Sequence, residues 1–350
     1  MFKNNGNFVL FFKLITAMKK ILIIVLFFLP LSFRISAQNS YEILDSHLHY
    51  TDFLQKTDGF GSLVAAMDAA NVSEAIVFGM GISKQWDGVN ENKPGYYLSD
   101  DCRCYYYSAT DYILAEELLA QPENVRKRFY PFICGVNPND LYSIEHIKRL
   151  LDLYPGFWCG IGEIMSRHDD LTALTYGEPP HINSKGFKMI FDLAAERGLP
   201  VLVHHNITAQ SCDEIKYVSE LEEALAHNRN CNIIWAHIGI SRRVEVQGLI
   251  QTADKLLKEN PNLYIDISWL VYDYYFLNEF PTGYKTSDTL KDWVNFVEKY
   301  PTRILIGTDK VGHWQGYYGE ITKYYKLLDS LTPSTARRIC RDNALSLIKR

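Results

Sequence analysis

The feature that most limits what this chain can become is an eightfold alternation of two kinds of segment. Short β-branched, apolar runs recur at 43–50, 74–80, 129–137, 159–165, 200–206, 232–238, 263–269 and 303–309. Each is followed by a stretch with helical periodicity, such as "GSLVAAMDAAN", "SIEHIKRLLDLYP" and "GFKMIFDLAAERG", the last stopped by Gly198. The apolar runs do not alternate with polar residues, which is the pattern of parallel strands covered on both faces. Eight strand–helix units predict an α/β fold, a (β/α)8 (TIM) barrel, whose usual size is about 250 residues plus insertions. A doubly wound α/β sheet is the alternative arrangement of the same units.

One connection breaks the rhythm. Residues 81–108, "GISKQWDGVNENKPGYYLSDDCRCYYYS", are polar, rich in Gly and Tyr, and without a helical period. A long inserted loop after strand 2 predicts a lid over a pocket, and the dense tyrosines support that. Cys102 and Cys104 fall in this loop as a Cys-x-Cys pair, read as two polar-loop thiols. Cys134, Cys159 and Cys231 lie in apolar runs and read as buried thiols.

Residues 18–38, "MKKILIIVLFFLPLSFRISAQ", combine a basic start, an apolar centre and a small-residue exit. That layout predicts a signal peptide over 1–37 with cleavage after Ala37, leaving 38–350 as a single domain in the periplasm or outside the cell. Removing the five bases of residues 1–37 from 36 leaves 31 against 41 acids, a net of −10. Such a balance argues against nucleic acid or an anionic membrane surface and for a small-molecule substrate. It leaves homo-oligomerisation open.

Catalytic groups of a (β/α)8 barrel stand at the carboxyl ends of its strands. Strand one ends in "DSHLH", where His47 and His49 share a face because side chains at i and i+2 point the same way. Strand four ends in "GIGEI" with Glu163, strand five in "PVLVHH", strand six in "IIWAHIG" with His237, and strand eight in "ILIGTD" with Asp309. Singly, each has a plain structural explanation. Together they would bury ionisable groups at one rim without compensation. A divalent cation removes that cost, and imidazole nitrogens with carboxylate oxygens suit zinc or a similar ion. The run before strand five's end is apolar on both parities, so periodicity does not separate His204 from His205.

These ordered motifs, with "RFYPFICGVNPND" and "NLYIDIS", resemble the amidohydrolase superfamily, specifically its amidohydrolase-related, metal-dependent TIM-barrel hydrolases. The resemblance spans residue 44 to about 350. It implies that His47, His49, Glu163, His204, His237 and Asp309 hold one or two divalent ions, with two favoured because Glu163 stands where relatives bridge a pair. It implies catalytic roles for Asp309, as general base, and for His237. His205 would then face away. Arg167, His168, His313 and Trp314 follow the same strand ends and are candidate substrate contacts, while Asp45 and Asp266 would orient ligands. The implied activity is hydrolysis of an amide, lactone or ester through a metal-activated water. Non-oxidative decarboxylation of an aromatic acid is the alternative, and a degenerate secreted binding barrel a lower one.

Overall fold

The computed structural model describes residues 41–277, 279 and 286–348. The predicted signal peptide lies outside the described residues. Among the described residues thirteen strands form: β1 Ile43–His49, β2 Val72–Phe78, β3 Ile82–Lys84, β4 Cys104–Tyr106, β5 Phe129–Ile133, β6 Gly160–Ser166, β7 Val201–His205, β8 Thr208–Ala209, β9 Cys212–Ile215, β10 Ile233–Ala236, β11 Leu263–Asp266, β12 Ile304–Leu305 and β13 Lys310–Val311. Nine of them pair in the order β12-β11-β10-β7-β6-β5-β2-β1-β13, all in parallel.

β12 and β13 are two halves of one extended segment. Its first half pairs with β11 and its second with β1. Between the halves, Ser46 N donates to Ile306 O at 3.0 Å and Asp309 N donates to His47 O at 2.8 Å. The nine paired pieces are therefore eight strands closed on themselves, the (β/α)8 barrel. Gly307 stands at this seam. A Cβ there would come within 2.6 Å of His47 N, so only glycine lets the last strand lie this close to the first.

The core is divided by the barrel wall. Leu44, Ile76, Phe78, Phe132, Leu202, Ile234 and Leu305 pack together as one cluster, and Ile43, Ala75, Val77, Ile133, Val201, Val203, Ile233 and Trp235 join a larger one with the helices. Adjacent residues thus alternate between the interior and the helical shell. This two-sided burial is why the strands read as unbroken apolar runs. Local signals place the shell helices. The helix Lys185–Arg197 starts at Ser184, whose side chain accepts from Phe187 N, and stops at Gly198 with φ 65°. The helix Leu290–Lys299 opens with a capping box between Thr289 and Asp292.

Several predicted bounds shift. The strand expected at 129–137 stops at Ile133, and those at 232–238 and 263–269 stop at Ala236 and Asp266. Their final residues leave the ladder to form the rim, so apolar character outlasts pairing. The inserted segment 81–108 carries a short antiparallel hairpin of β3 and β4 at its base. Buried Lys84 braces it, donating to the carbonyls of Asp100 and Cys102 and pairing with the Asp100 carboxylate at 2.8 Å. All seven cysteines are free thiols. Among the described residues no helix is long and apolar enough to cross a membrane.

Phe132 fills the barrel interior against Gly160, where a Cβ would come within 2.4 Å of the ring. Phe132→Ala is expected to cost about 3–5 kcal/mol, read as a lowered midpoint in denaturant unfolding.

Candidate metal centre

The strand ends converge. His47 Nε2 and His49 Nε2 each lie 3.3 Å from Asp309 Oδ1, and 3.6 and 3.3 Å from Glu163 Oε2. The other Glu163 oxygen, Oε1, lies 3.2 Å from His204 Nδ1 and 3.4 Å from His237 Nε2. One carboxylate thus stands between two donor sets: His47, His49 and Asp309 on one side, His204 and His237 on the other. Within each set, Glu163, His204 and His237, or His47, His49 and Asp309, the ligand atoms lie inside 4.8 Å of one another.

The outward-facing nitrogens fix the tautomers. His47 Nδ1 lies 2.6 Å from Asp266 Oδ2, an obligate acceptor, so it carries the proton. His49 Nδ1 donates to Gly79 O at 2.8 Å. Ser268 Oγ donates to Asp266 Oδ2 at 2.6 Å and so accepts from His237 Nδ1 at 2.8 Å. In all three rings the Nε2 lone pair is left pointing at the centre, as metal ligands require. His204 is turned the other way: Nε2 donates to Asn206 Oδ1 at 2.5 Å and Nδ1 faces Glu163. His47 Nε2 is buried without a hydrogen-bond partner among the described residues. A cation would satisfy it, and the donor chemistry fits zinc or a similar ion. His47, His237 and Asp266 also come close enough to share an ion, but Asp266 is already committed as the acceptor that orients both rings.

Electrostatics point the same way. Burial works against charge on Glu163, yet His47 beside it and bonds from His204 and His237 hold it well below the usual carboxylate range. Burial likewise opposes the charge of Asp309, which His47 and His49 nonetheless keep low. Burial disfavours charge on His47 too, but Glu163 and Asp309 lift it well above an ordinary imidazole, and His49 rises for the same reason. Without a cation, the buried carboxylates are compensated by protons on these rings.

Backbone strain serves the placement. Arg167, His237, Trp269 and Asp309 all adopt the left-handed region, with φ between 52° and 59°. Such conformations cost about 1–3 kcal/mol each in non-glycine residues and gather at functional sites. Gly162 has φ 131° and its absent Cβ would meet Leu202 O at 2.3 Å, so Glu163 follows a position open to glycine alone. Asp45 ties the seam: it accepts from His47 N, Thr308 N, Thr308 Oγ1 and Tyr317 Oη at 2.7–3.1 Å. Burial pushes its carboxyl up to about 6 against those donors, leaving it ionised at neutral pH.

A cavity of about 250 Å³ opens over the centre. His168 and His313 line it. His168 stacks on His204 at 4.5 Å, and its Nδ1 accepts from Asp170 N and Leu171 N, so Nε2 carries the proton. Burial and then the neighbouring His204 push its pKa well below an ordinary imidazole, which keeps it neutral. His313 is half exposed and bonds Asp58 and Asp52. Arg167 and Trp314 do not line this cavity. Arg167 turns from the cavity to pair with Glu220 at 2.5 Å and lies over the Tyr217 ring. Trp314 is buried, its indole donating to Gly59 O. His205 lies on the shell parity, bonded to Ser166 and Tyr217 O.

The cavity also holds residues that the strand-end pattern does not reach. Arg242 is the one arginine among its described lining residues, bonded to Tyr97 Oη and set over Trp269 at 5.6 Å. Tyr96 and Tyr97 come from the inserted segment and pack on Phe53. The only trace of Arg242 in the sequence is its place just past the strand-six motif, in "IGISRR". Trp269 is signalled only by ending the apolar run of strand seven.

Comparisons with known proteins agree with this architecture. No curated protein matches the chain. Among solved structures, a probable 2-pyrone-4,6-dicarboxylic acid hydrolase from Acinetobacter baumannii superposes with TM-score 0.55 at 12% identity, covering 87% of this chain and 98% of its own. A dihydroorotase from Campylobacter jejuni gives 0.52 at 14%, covering 88% and 83%. A 2,6-dihydroxybenzoate decarboxylase from Rhizobium gives 0.52 at 14%, covering 88% and 98%. At such identities the likeness establishes the fold alone. A family model described as Amidohydrolase matches residues 114–350, a span that holds Glu163, His204, His237 and Asp309. The chain belongs to the amidohydrolase family.

Proposed function

We propose that the chain is a metal-dependent hydrolase that cleaves an amide, lactone or ester bond of a small molecule. The observation that carries this reading is the position of Glu163, with one carboxylate oxygen toward His47 and His49 and the other toward His204 and His237. His47, His49 and Asp309 would hold one ion and His204 and His237 a second, with Glu163 shared. Bound there, divalent cations supply Lewis acidity and bring the pKa of a water toward neutrality.

The protein's own groups then divide the work. Asp309 Oδ1 faces His47 and His49, while its side chain remains 14% exposed toward the cavity. It takes the proton of the attacking water as the water oxygen bonds to the acyl carbon, then returns that proton to the departing nitrogen or oxygen. His237 is a ligand rather than a proton donor, because its one proton is given to Ser268. The proton on His168 Nε2 is free to meet developing negative charge. Arg242 offers a fixed cation for an anionic part of the substrate, held by Tyr97.

Arg242 also supports the second reading, non-oxidative decarboxylation of an aromatic acid. In that case carbon dioxide is released and no solvent oxygen enters the product. The export signal at 1–37 and a periplasmic or extracellular site of action are part of the same proposal. A mature chain starting at Gln38 would support them.

Asp309→Asn is expected to fold normally and lower kcat by about 10²–10⁴-fold, measured across a panel of lactones, amides, esters and aromatic acids. Metal analysis is expected to give two ions per chain, falling to one in Glu163→Gln; full activity at one ion would exclude the shared carboxylate. Glu163 and Asp309 raise the pKa values of His47 and His49, so protons compete with a cation for the same nitrogens. Metal binding should therefore release protons, and affinity should weaken as pH falls from about 7.5 to about 6. Calorimetry in buffers of different ionisation enthalpy measures both.

A further inference from the structure

Beside the catalytic cavity lies a second groove of about 280 Å³, with Leu54, Trp86, Lys93, Pro94 and Tyr105 in its walls. Leu54 lines both spaces. The inserted segment does the same: Lys93 and Pro94 face the groove, and the next residues, Gly95, Tyr96 and Tyr97, face the catalytic cavity. The groove is thus the immediate neighbour of the reaction site, separated from it by a shared wall of Leu54 and residues 93–97.

Its aromatic faces are open and held in place. Trp86 is 52% exposed and Tyr105 39% exposed. Single exposed rings are ordinary, but two rings turned into one concavity form a ligand surface. The Trp86 indole donates to Asn90 O at 2.9 Å, and Tyr105 sits on strand β4, edge-on to Tyr107 at 6.2 Å. Below them the Lys84 charge is neutralised by Asp100. Lys93 is exposed and forms no ion pair with any described residue, so its charge in the groove wall is unmatched. The space exceeds the roughly 150 Å³ that suffices to hold a benzene.

We propose that this groove is a distal subsite for a planar, anionic ring of the substrate, joined to the portion that reacts in the inner cavity. Trp86 and Tyr105 provide stacking faces and Lys93 the counter-charge. The inference rests on the inner cavity being the reaction site, and it predicts an elongated, two-ring substrate.

The test is equilibrium binding to the zinc-loaded full chain with benzoate, biphenyl-4-carboxylate and biphenyl-4,4′-dicarboxylate. The dicarboxylate is expected to bind about tenfold tighter than benzoate. Trp86→Ala and Tyr105→Ala should each remove about 3–10-fold of that advantage while leaving benzoate unchanged. Lys93→Gln should weaken the dicarboxylate and spare the monocarboxylate. All three positions are exposed, so unfolding midpoints should match the parent chain. Two-ring binding that is indifferent to these substitutions, or an equal loss for both probe sizes, overturns the proposal. Because the readout is binding, the two readings separate. Trp86-dependent binding without any turnover would count against the hydrolase alone, and turnover without it against the subsite alone.

Discussion

Everything at the rim follows from one electrostatic problem: a carboxylate, Glu163, buried among imidazoles with almost no access to water. A charge in such a place is tolerated only if it is paired and hydrogen-bonded. Four histidine nitrogens within 3.6 Å provide the partners. Without a cation the solution is protonic, with proton uptake favoured on His47 and His49. With one, the same nitrogens offer lone pairs. The second arrangement is the one for which the surrounding hydrogen bonds are built, because each outward nitrogen already has an acceptor waiting.

Asp266 is the hinge of that network. It fixes His47 directly and His237 through Ser268, so a single carboxylate on β11 sets the tautomers of ligands from two other strands. Asp45 does the corresponding work on the backbone, tying β1 to the residue before Asp309. Neither faces the cavity. Both are costly to bury, and their presence makes sense only as support for the groups that do face it.

Much of this was legible in the chain. The eight apolar runs pointed to the barrel, and their polar last residues marked the rim at His47, His49, Glu163, His237 and Asp309, with the fifth strand offering either of two histidines. The reason is geometric: in a barrel the strand ends are the rim, so residue type at a fixed position in each repeat carries the site. What did not show was anything set by side-chain direction. His204 and His205 follow a run that is apolar on both parities, and only their register against Leu202 separates the inner from the outer face. Arg167 follows strand four just as a rim residue would, but its backbone is left-handed and its guanidinium pairs with Glu220. Arg242 and the hairpin within 81–108 depend on long-range packing that leaves no local period. The loop's tyrosines hinted at a lid, yet nothing in their spacing distinguishes Tyr97, facing inward, from Tyr105, facing out.

The divided eighth strand has a consequence for how the molecule comes into being. The bond from Thr308 to Asp45 spans 263 positions, close to the full length of the described chain. A ribosome makes His47 and His49 about 260 residues before Asp309. Until β12 and β13 emerge, the first strand has an unpaired edge and its histidines lack their carboxylate partner. Ring closure and completion of the ligand set are therefore the same late event, and a chain interrupted before it has neither a sealed barrel nor a working centre.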